Sequence, residues 1–295
     1  MIVNQAALVG IGRSFSTLFN NALDAAPSQW PLVAMRAPSG ARSMDYKWLG
    51  DFGGMKEWVG DRTIKDLAGF HYEIVNKSWE DTIEVDRDDI EDDQIGIYTP
   101  RLQQMGLVPQ EHRDLLVFQL LAAGFTTECS DGQYFFDEDH QVNGQSVSND
   151  GGGAGEPWIL ADLSRPIKPV ILQIRKEPEF VAQDQPTAEN VFMRKKFRYG
   201  VDDRKNVGFG LWQTAYGSKD TLTAAHYLTA RASILGRTKE DGVTPLNTRP
   251  THLIVGSTNE SAGRTVVEAE HDATGASNIW YHTAQLVVVP WLRAA

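Results

Sequence analysis

Two acidic clusters are the residues of this 295-residue chain whose type and spacing come closest to metal chemistry. The run DEDH occupies residues 137–140, shortly after Asp131, and the run DRDDIEDD occupies residues 86–93. Carboxylates on a flexible loop suit hard divalent cations. However, the first run lacks the D-x-[DN]-x-[DN]-G spacing of a calcium loop, and the second precedes a helical stretch whose positive end attracts acids. We therefore interpret them as a solvated turn and a helix start, and we predict no bound metal.

Nucleophiles and cofactor motifs are also sparse. Cys129 is the only cysteine, which excludes an internal disulfide and a cluster of several thiolates around zinc. The seven histidines include no pair spaced four residues apart. No G-x-S-x-G, H-E-x-x-H or G-x-x-x-x-G-K-[ST] motif is present, and the glycine pair within residues 10–12 lies in a helical pattern with no strand before it. We predict that the chain has no cofactor and catalyses no reaction.

The composition is that of an ordinary soluble protein that does not grip nucleic acid. Hydrophobic residues make up 41% and charged residues 23%, which allows one large folding unit or two modest ones. The formal net charge of -11 opposes phosphate binding, which requires clustered Lys and Arg. No apolar run approaches the roughly 20 residues of a membrane span, and residues 1–10 lack the basic region of a secretory signal. We expect neither export nor a membrane anchor.

The first predicted element is an amphipathic helix that runs from a cap at Asn4 to Pro27. Its apolar stripe is narrow and consists of residues three or four positions apart: Leu8, Ile11, Phe15, Leu18 and Ala22. Gly10 and Gly12 weaken the helix by up to ~1 kcal/mol each relative to alanine. We therefore expect the helix to need a partner surface, and we predict that a neighbouring copy supplies it.

The second predicted element is a long β-hairpin within residues 44–85. Residues 73–85 approach strand alternation, and the sequence GDFGGMKEWVGDR at 50–62 has the Gly and Asp content of a hairpin loop. Isolated two-stranded ribbons are marginally stable in water, so this one should pack on another surface, either its own subunit or a neighbour. Large aromatic residues and Arg dominate interface hot spots. The predicted inter-subunit contacts are Leu8, Ile11, Phe15, Trp30, Trp48, Trp58, Arg62 and Lys65.

The remainder of the chain predicts a mixture of helices and strands. A long helix leads to Gly124, with a kink or break expected at Pro100 or Pro109. The glycines at 151–153 are predicted to form flexible loop and a candidate boundary. Further elements are antiparallel strands at 168–175 and 191–199, a helix from Ser218 or Asp220 to Gly236, strands at 252–255 and 286–291, and between these two a helix with a Ser257–Glu260 capping box.

Eight collinear segments resemble one known family. They are MIVNQAAL at 1–8, APSQW at 26–30, YKWLG at 46–50, EWVGDR at 57–62, EDD at 91–93, LLAAGFT at 120–126, DGQYFFD at 131–137 and NVGFGLWQ at 206–213. Together they are similar to the major head subunit of Mu-like phages and prophages, the gpT family, over nearly the whole chain. The resemblance implies an α+β fold of the Hong Kong 97-like capsid type, and the family supplies no active site to carry over.

The resemblance also implies a division of the chain and a set of partners. Its regions would be an N-terminal arm (1–37), an extended β-hairpin called the E-loop (38–86), a peripheral domain with a spine helix and antiparallel strands (87–218) and an axial domain (219–295). The implied function is that of a major capsid protein, which self-assembles through hexamers and pentamers into an icosahedral shell and encloses double-stranded DNA without sequence-specific binding. The implied partners are scaffolding, portal and decoration proteins. The implied location is the virion, after assembly in the cytoplasm of a bacterial host.

Two other functions stay open at this stage. One is a different phage structural subunit, namely a decoration, tail-tube or portal protein, which would form trimers or rings in place of closed shells. The other is a metal-dependent hydrolase that uses Asp137, Asp139 and His140. Electron microscopy of the assembly separates the first alternative, and the measured metal content separates the second.

Overall fold

The computed structural model describes residues 5–50, 71–92, 94–185, 187–272 and 274–293. Within this part of the chain the helices are α1 (Gln5–Ala25), α2 (Trp30–Val33), α3 (Arg87–Glu91), α4 (Thr99–Ala122), α5 (Glu189–Arg194), α6 (Ala224–Leu235) and α7 (Glu260–Val267). The strands are β1 (Ala34–Pro38), β2 (Ser43–Asp45), β3 (Glu73–Val75), β4 (Lys77–Asp86), β5 (His140–Val142), β6 (Gln145–Val147), β7 (Asp150–Gly153), β8 (Trp158–Ala161), β9 (Val170–Gln183), β10 (Lys196–Phe209), β11 (Ala215–Lys219), β12 (His252–Val255) and β13 (Gln285–Val288).

The N-terminal helix α1 packs against α4 and the adjoining sheet of its own subunit. Leu8, Phe15 and Phe19 are fully or almost fully buried, and the Phe15 ring meets Tyr199 edge to face with 4.9 Å between the ring centroids. The prediction of the helix is confirmed. The expectation that a neighbouring copy buries its apolar stripe is wrong for this structure, because α4 and β10 already cover that stripe.

Two larger sheets organise the described residues. The four-stranded sheet has the order β1-β9-β10-β4, and the five-stranded sheet has the order β13-β12-β8-β11-β7. The second sheet joins strands from both sides of residue 219, so the predicted boundary between 87–218 and 219–295 runs through it. The smaller pairs are β2-β3 and β5-β6, both antiparallel.

The long antiparallel pair β9 and β10 is the longest ladder of the first sheet. The sequence predicts this pair correctly but underestimates it, since each strand has 14 residues. Pro178 lies within β9, opposite a β-bulge at which the register shifts between Asp202 and Arg204 of β10. A bulge accommodates proline because this residue has no N–H to donate to the ladder. Residues 191–194, predicted to begin the second strand, belong to α5 at the end of the hairpin.

The spine of the molecule is α4, a continuous helix of 24 residues. Pro100 lies in its first turn, where the missing N–H has no helical partner to lose. Pro109 lies inside the helix, and the helix continues through it, so of the two predicted alternatives, a kink or a break, the break is wrong. The buried residues on both sides of this proline, Met105 and Arg113, keep the helix packed on its neighbours although one backbone hydrogen bond is lost.

The triple glycine at 151–153 is not a flexible linker but the edge strand β7, parallel to β11. A Cβ on Gly151 would lie 2.7 Å from the Ser218 side chain. A Cβ on Gly153, whose φ is +94°, would lie 2.2 Å from the Asp220 nitrogen. Close approach of β11 therefore explains the glycines better than flexibility does.

The predicted helix starts near the C-terminus shift by a few residues. The helix α6 begins at Ala224, because the Thr223 side chain accepts a hydrogen bond from the His226 N–H (3.2 Å) and caps it. It ends at Gly236, as predicted. The predicted Ser257 capping box is wrong, since α7 follows Asn259 and has no side-chain cap. The predicted strand at 252–255 is confirmed as β12, and the predicted strand at 286–291 is the shorter β13.

Candidate inter-subunit surfaces

The far end of the β9–β10 hairpin exposes large apolar side chains. On α5, Phe192 is 83% exposed and Met193 is 69% exposed, while Val191 beside them is buried and anchors the helix to the core. Val181 on β9 is also exposed. Solvent-exposed apolar side chains that are held together by a rigid element mark contact surfaces. We call Val181, Phe192 and Met193 the hairpin tip.

A groove runs along α4 and is lined by residues of β4, α4 and β10. It encloses a cavity of about 300 Å³, whose apolar walls are Trp79, Val108, Pro109, Leu115 and Trp291. Its charged residues are the acidic rim of Glu80, Asp81 and Glu111, and the ion pair between Lys205 and Asp203. We call these residues the spine groove. Its shape and its acidic rim suit an apolar segment that carries positive charge.

His112 forms part of the wall of the spine groove. Its ring meets Trp79 edge to face, with 4.4 Å between centroids, and the Trp79 indole N–H donates to the Lys205 carbonyl (3.2 Å). Burial, together with the positive charge of Lys205, lowers the pKa of His112 to about 4. The imidazole is therefore neutral at pH 7, and the groove keeps its negative rim.

Charged pairs hold the base of this region together. Lys205 is almost completely buried and pairs with Asp203 two residues before it on β10. Burial lowers the pKa of Lys205, and the Asp203 carboxylate opposes that effect. The buried Arg113 of α4 pairs with Glu177 of β9, which also binds Arg36 of β1. Side chains thus fix α4 to the sheet from which the hairpin tip projects.

The residues predicted from sequence to contact other subunits are placed differently. Leu8, Ile11 and Phe15 are buried within the subunit, so the structure leaves them no surface for a neighbour. Trp30 is 9% exposed and packs into the main core, where its backbone N–H donates to Asp114 Oδ1 (2.6 Å). The half-buried Trp48 packs edge to face on Tyr46. Trp58, Arg62 and Lys65 lie outside the described residues.

The hairpin tip was missed by the sequence prediction. Residues 191–193 are consecutive apolar residues, a pattern that a buried strand shares, so the sequence predicts a strand there. The charges at the two ends of this segment indicate a short helix, because Glu189 lies in its first turn and Arg194 in its last turn. A helix of this length buries one face only, and Phe192 and Met193 lie on the other.

The acidic residues considered for catalysis do not form a hydrolase site. Asp137 accepts hydrogen bonds from the Tyr134 N–H (3.1 Å) and the Glu138 N–H (2.7 Å) and so closes a turn. His140 is directed to Asp131 instead, with 2.7 Å between Nδ1 and Oδ2. Cys129 donates from Sγ to Oδ1 of the same carboxylate (3.1 Å).

Burial and hydrogen bonds shift the pKa values of Cys129 and Asp131 in opposite directions. Burial and the neighbouring Asp131 raise the pKa of the Cys129 thiol well above its usual value. Burial alone would raise the pKa of Asp131, but the hydrogen bonds from His140 and Cys129 outweigh it, so the pKa lies below its usual value. A protonated thiol is not a nucleophile, which removes the simplest catalytic use of this cysteine.

The comparisons with known proteins agree with one another. Residues 8–292 match the family model described as Mu-like prophage major head subunit gpT. The Mu-like prophage FluMu major head subunit of Haemophilus influenzae is 41% identical, over 90% of this chain and 89% of that protein. The major capsid protein of Escherichia phage Mu is 38% identical, over 99% of this chain and 100% of that protein.

Solved structures give the same picture. The chain in the procapsid of bacteriophage JBD30 has a TM-score of 0.88 and 39% identity, and the match covers 98% of this chain and 100% of that one. The chain in the JBD30 capsid has a TM-score of 0.80 and 29% identity, with 99% and 100% covered. Among the helices of the described ranges, none has the length and apolar character needed to cross a membrane.

Proposed function

This chain belongs to the Mu-like prophage major head subunit gpT family, and from that membership we propose that copies of it assemble through hexamers and pentamers into a closed icosahedral shell. It is a structural capsid protein of the Hong Kong 97-like fold and not an enzyme. The finer assignments that follow are proposals: the contacts, the enclosed DNA and the partners.

Two features of the subunit together support shell formation most directly. Its body is well packed, and its hairpin tip exposes apolar side chains that have no partner in the described part of the subunit. The pair of the buried Arg113 with Glu177 holds α4 on the first sheet, while Phe192 and Met193 are left exposed at the hairpin tip. Burying an apolar side chain of this size stabilises by about 1.5–3 kcal/mol. Contact between hairpin tips and neighbouring subunits would therefore contribute to assembly at each repeat of the shell.

The spine groove is the second contact surface that we propose. The sequence of residues 51–70 carries Trp58, Arg62 and Lys65, which combine the aromatic and basic character that an apolar groove with an acidic rim favours. We propose that this segment of one subunit binds the spine groove of the next. The predicted role of the E-loop (38–86) as an inter-subunit hairpin remains part of this proposal.

The proposed contents and partners follow from charge and from the relatives. A net charge of -11 favours a shell that encloses double-stranded DNA without binding it tightly or sequence-specifically. One solved relative is the JBD30 capsid decorated with minor capsid protein trimers. We propose a decoration protein for this capsid too, besides scaffolding and portal proteins. Assembly would take place in the cytoplasm of the bacterial host before the chain becomes part of the virion.

The test is electron microscopy of the full chain expressed with its scaffolding partner. We expect closed shells from the wild type and from Phe192→Leu, which keeps an apolar tip. Phe192→Ser should fold normally, because the side chain is exposed, but should yield few shells. Shells formed equally well by Phe192→Ser would contradict the hairpin-tip contact, while trimers or open rings from the wild type would contradict shell formation itself.

A further inference from the structure

Three side chains with different ligand atoms converge shortly after α4. Cys129 and Asp131 belong to a tight turn that is closed by a hydrogen bond from the Cys129 N–H to the Gln133 carbonyl (2.7 Å). His140 begins β5 and folds back onto that turn. The Cys129 Sγ, a carboxylate oxygen of Asp131 and a ring nitrogen of His140 all lie within 4.8 Å of one another.

We propose that Cys129, Asp131 and His140 bind one Zn²⁺ ion, with the remaining coordination position taken by water. Zinc accepts sulfur, nitrogen and oxygen ligands at roughly 2.0–2.3 Å, which places the ligand atoms of a tetrahedral site roughly 3.3–3.7 Å apart. The sulfur–oxygen distance of 3.1 Å and the nitrogen–oxygen distance of 2.7 Å are slightly shorter. The three ligand atoms lie within 4.8 Å of one another, so binding would widen the two contacts of Asp131 and bring the sulfur and the ring nitrogen to the tetrahedral spacing.

The surroundings hold two ligands rigidly and leave the third accessible. The His140 ring is fully buried and stacks on Trp212, with 3.9 Å between centroids and 6° between planes, which fixes its orientation. Cys129 is buried in the main core. The Asp131 side chain is 23% exposed, so an ion can reach the site from solvent on this side. Preorganised ligands lose little conformational entropy on binding.

The ring nitrogen of His140 that would bind the ion is Nδ1, which lies 2.7 Å from Asp131 Oδ2. Nε2 of His140 is buried and has no hydrogen-bond partner in the described part of the chain, although buried polar atoms are nearly always paired. Because Nδ1 is the nitrogen that faces Asp131, Nε2 would not be a ligand of the proposed ion. A soft sulfur ligand and an imidazole also select the metal, because Ca²⁺ and Mg²⁺ take oxygen ligands almost exclusively.

Charge balance also favours a divalent ion of this class. Binding replaces the S–H bond of Cys129 with a sulfur–zinc bond, and the thiol proton leaves to solvent. The thiolate and the Asp131 carboxylate then carry two negative charges, which the ion neutralises, while His140 binds through Nδ1 as the neutral imidazole and its ring proton moves to Nε2. The ion would connect the turn after α4 to β5, and it requires no other subunit.

The test uses the full chain after treatment with a chelator and Co²⁺ as a spectroscopic substitute for Zn²⁺. We expect one Co²⁺ per chain, with the near-ultraviolet charge-transfer band of a cobalt thiolate, and displacement of the cobalt by one equivalent of Zn²⁺. Excess Zn²⁺ should also raise the midpoint of thermal unfolding. Absence of both the band and the rise in the midpoint would overturn the proposal.

Variants separate this site from adventitious binding elsewhere. Cys129→Ser should abolish the charge-transfer band, and Asp131→Asn, on the partly exposed turn, should weaken Zn²⁺ binding by about tenfold or more without changing the far-ultraviolet circular dichroism. His271→Gln, which removes an exposed histidine outside the trio, should bind like the wild type. Unchanged Zn²⁺ affinity in both Cys129→Ser and Asp131→Asn would show that the ion binds at another place.

Discussion

The contact between α1 and α4 depends on one glycine, and replacing it gives a sharp test of how the N-terminal helix is held. A Cβ on Gly106 would lie 2.5 Å from the Phe19 carbonyl oxygen, 2.7 Å from the Ala22 Cβ and 3.1 Å from the Leu23 nitrogen. Two of these three atoms are backbone, so they cannot swing away as the end of a long side chain could. The substitution Gly106→Ala must therefore push the two helices apart.

The expected size of the effect combines two opposing contributions. Overpacking costs about 1–3 kcal/mol, and a clash with backbone belongs at the upper end, about 3 kcal/mol. Alanine is more favourable than glycine inside a helix by about 1 kcal/mol. We therefore expect Gly106→Ala to lower the free energy of unfolding by about 2 kcal/mol.

Gly10→Ala is the matched control. Gly10 lies inside α1 on its exposed face, and a Cβ there would meet no atom within 4 Å. The same substitution should therefore stabilise the chain by about 0.5–1 kcal/mol. Urea unfolding of the unassembled subunit measures both values. If Gly106→Ala proved as stable as Gly10→Ala, α1 would not be packed on α4 as described.

Two further predictions concern pH. The pKa of His112 is lowered to about 4 mainly by burial, so the unfolded chain binds the proton more tightly than the folded one. The contribution of neutral His112 to stability is therefore complete above about pH 6.5 and is lost as the pH falls towards 4. His112→Gln should remove this part of the pH dependence of urea unfolding. The pKa of Asp241 is lowered to about 2, chiefly by the hydrogen bond from the Thr244 hydroxyl, so its contribution is present above pH 3.8 and disappears as the pH falls towards 2. Carboxyl titration by NMR should find that Thr244→Val moves the pKa of Asp241 back towards 3.8, and an unchanged value would rule out this hydrogen bond as the cause.

Local patterns were enough to locate the elements that local forces determine. The apolar spacing of residues 8–22 predicted α1, and the short apolar run at 252–255 predicted β12. The outer half of β9 was missed because Pro178 and the charged residues around it interrupt the strand pattern, while pairing with β10 over the whole ladder holds these residues extended. Such pairing depends on residues distant in sequence and leaves no periodicity to detect.

The candidate sites show the same limit. Adjacent acids in the sequence suggested Asp137 and Asp139 as companions of His140, but the turn at 128–134 brings Asp131 and Cys129 to the histidine instead. The partner of α1 was also assigned to another molecule, since nothing in residues 1–27 indicates that a groove of the same subunit accepts them. Composition identifies side chains that need burial, and only the three-dimensional path of the chain determines where they are buried.

The order of the five-stranded sheet also has a consequence for synthesis on the ribosome. Its central strand β8 lies between β11 and β12, and β12 in turn pairs with β13. The sheet therefore cannot close until residues 285–288 have been translated, and a chain that stops earlier lacks an edge of its core. Copies that end before residue 285 would lack β13 and leave the edge of β12 without its partner strand.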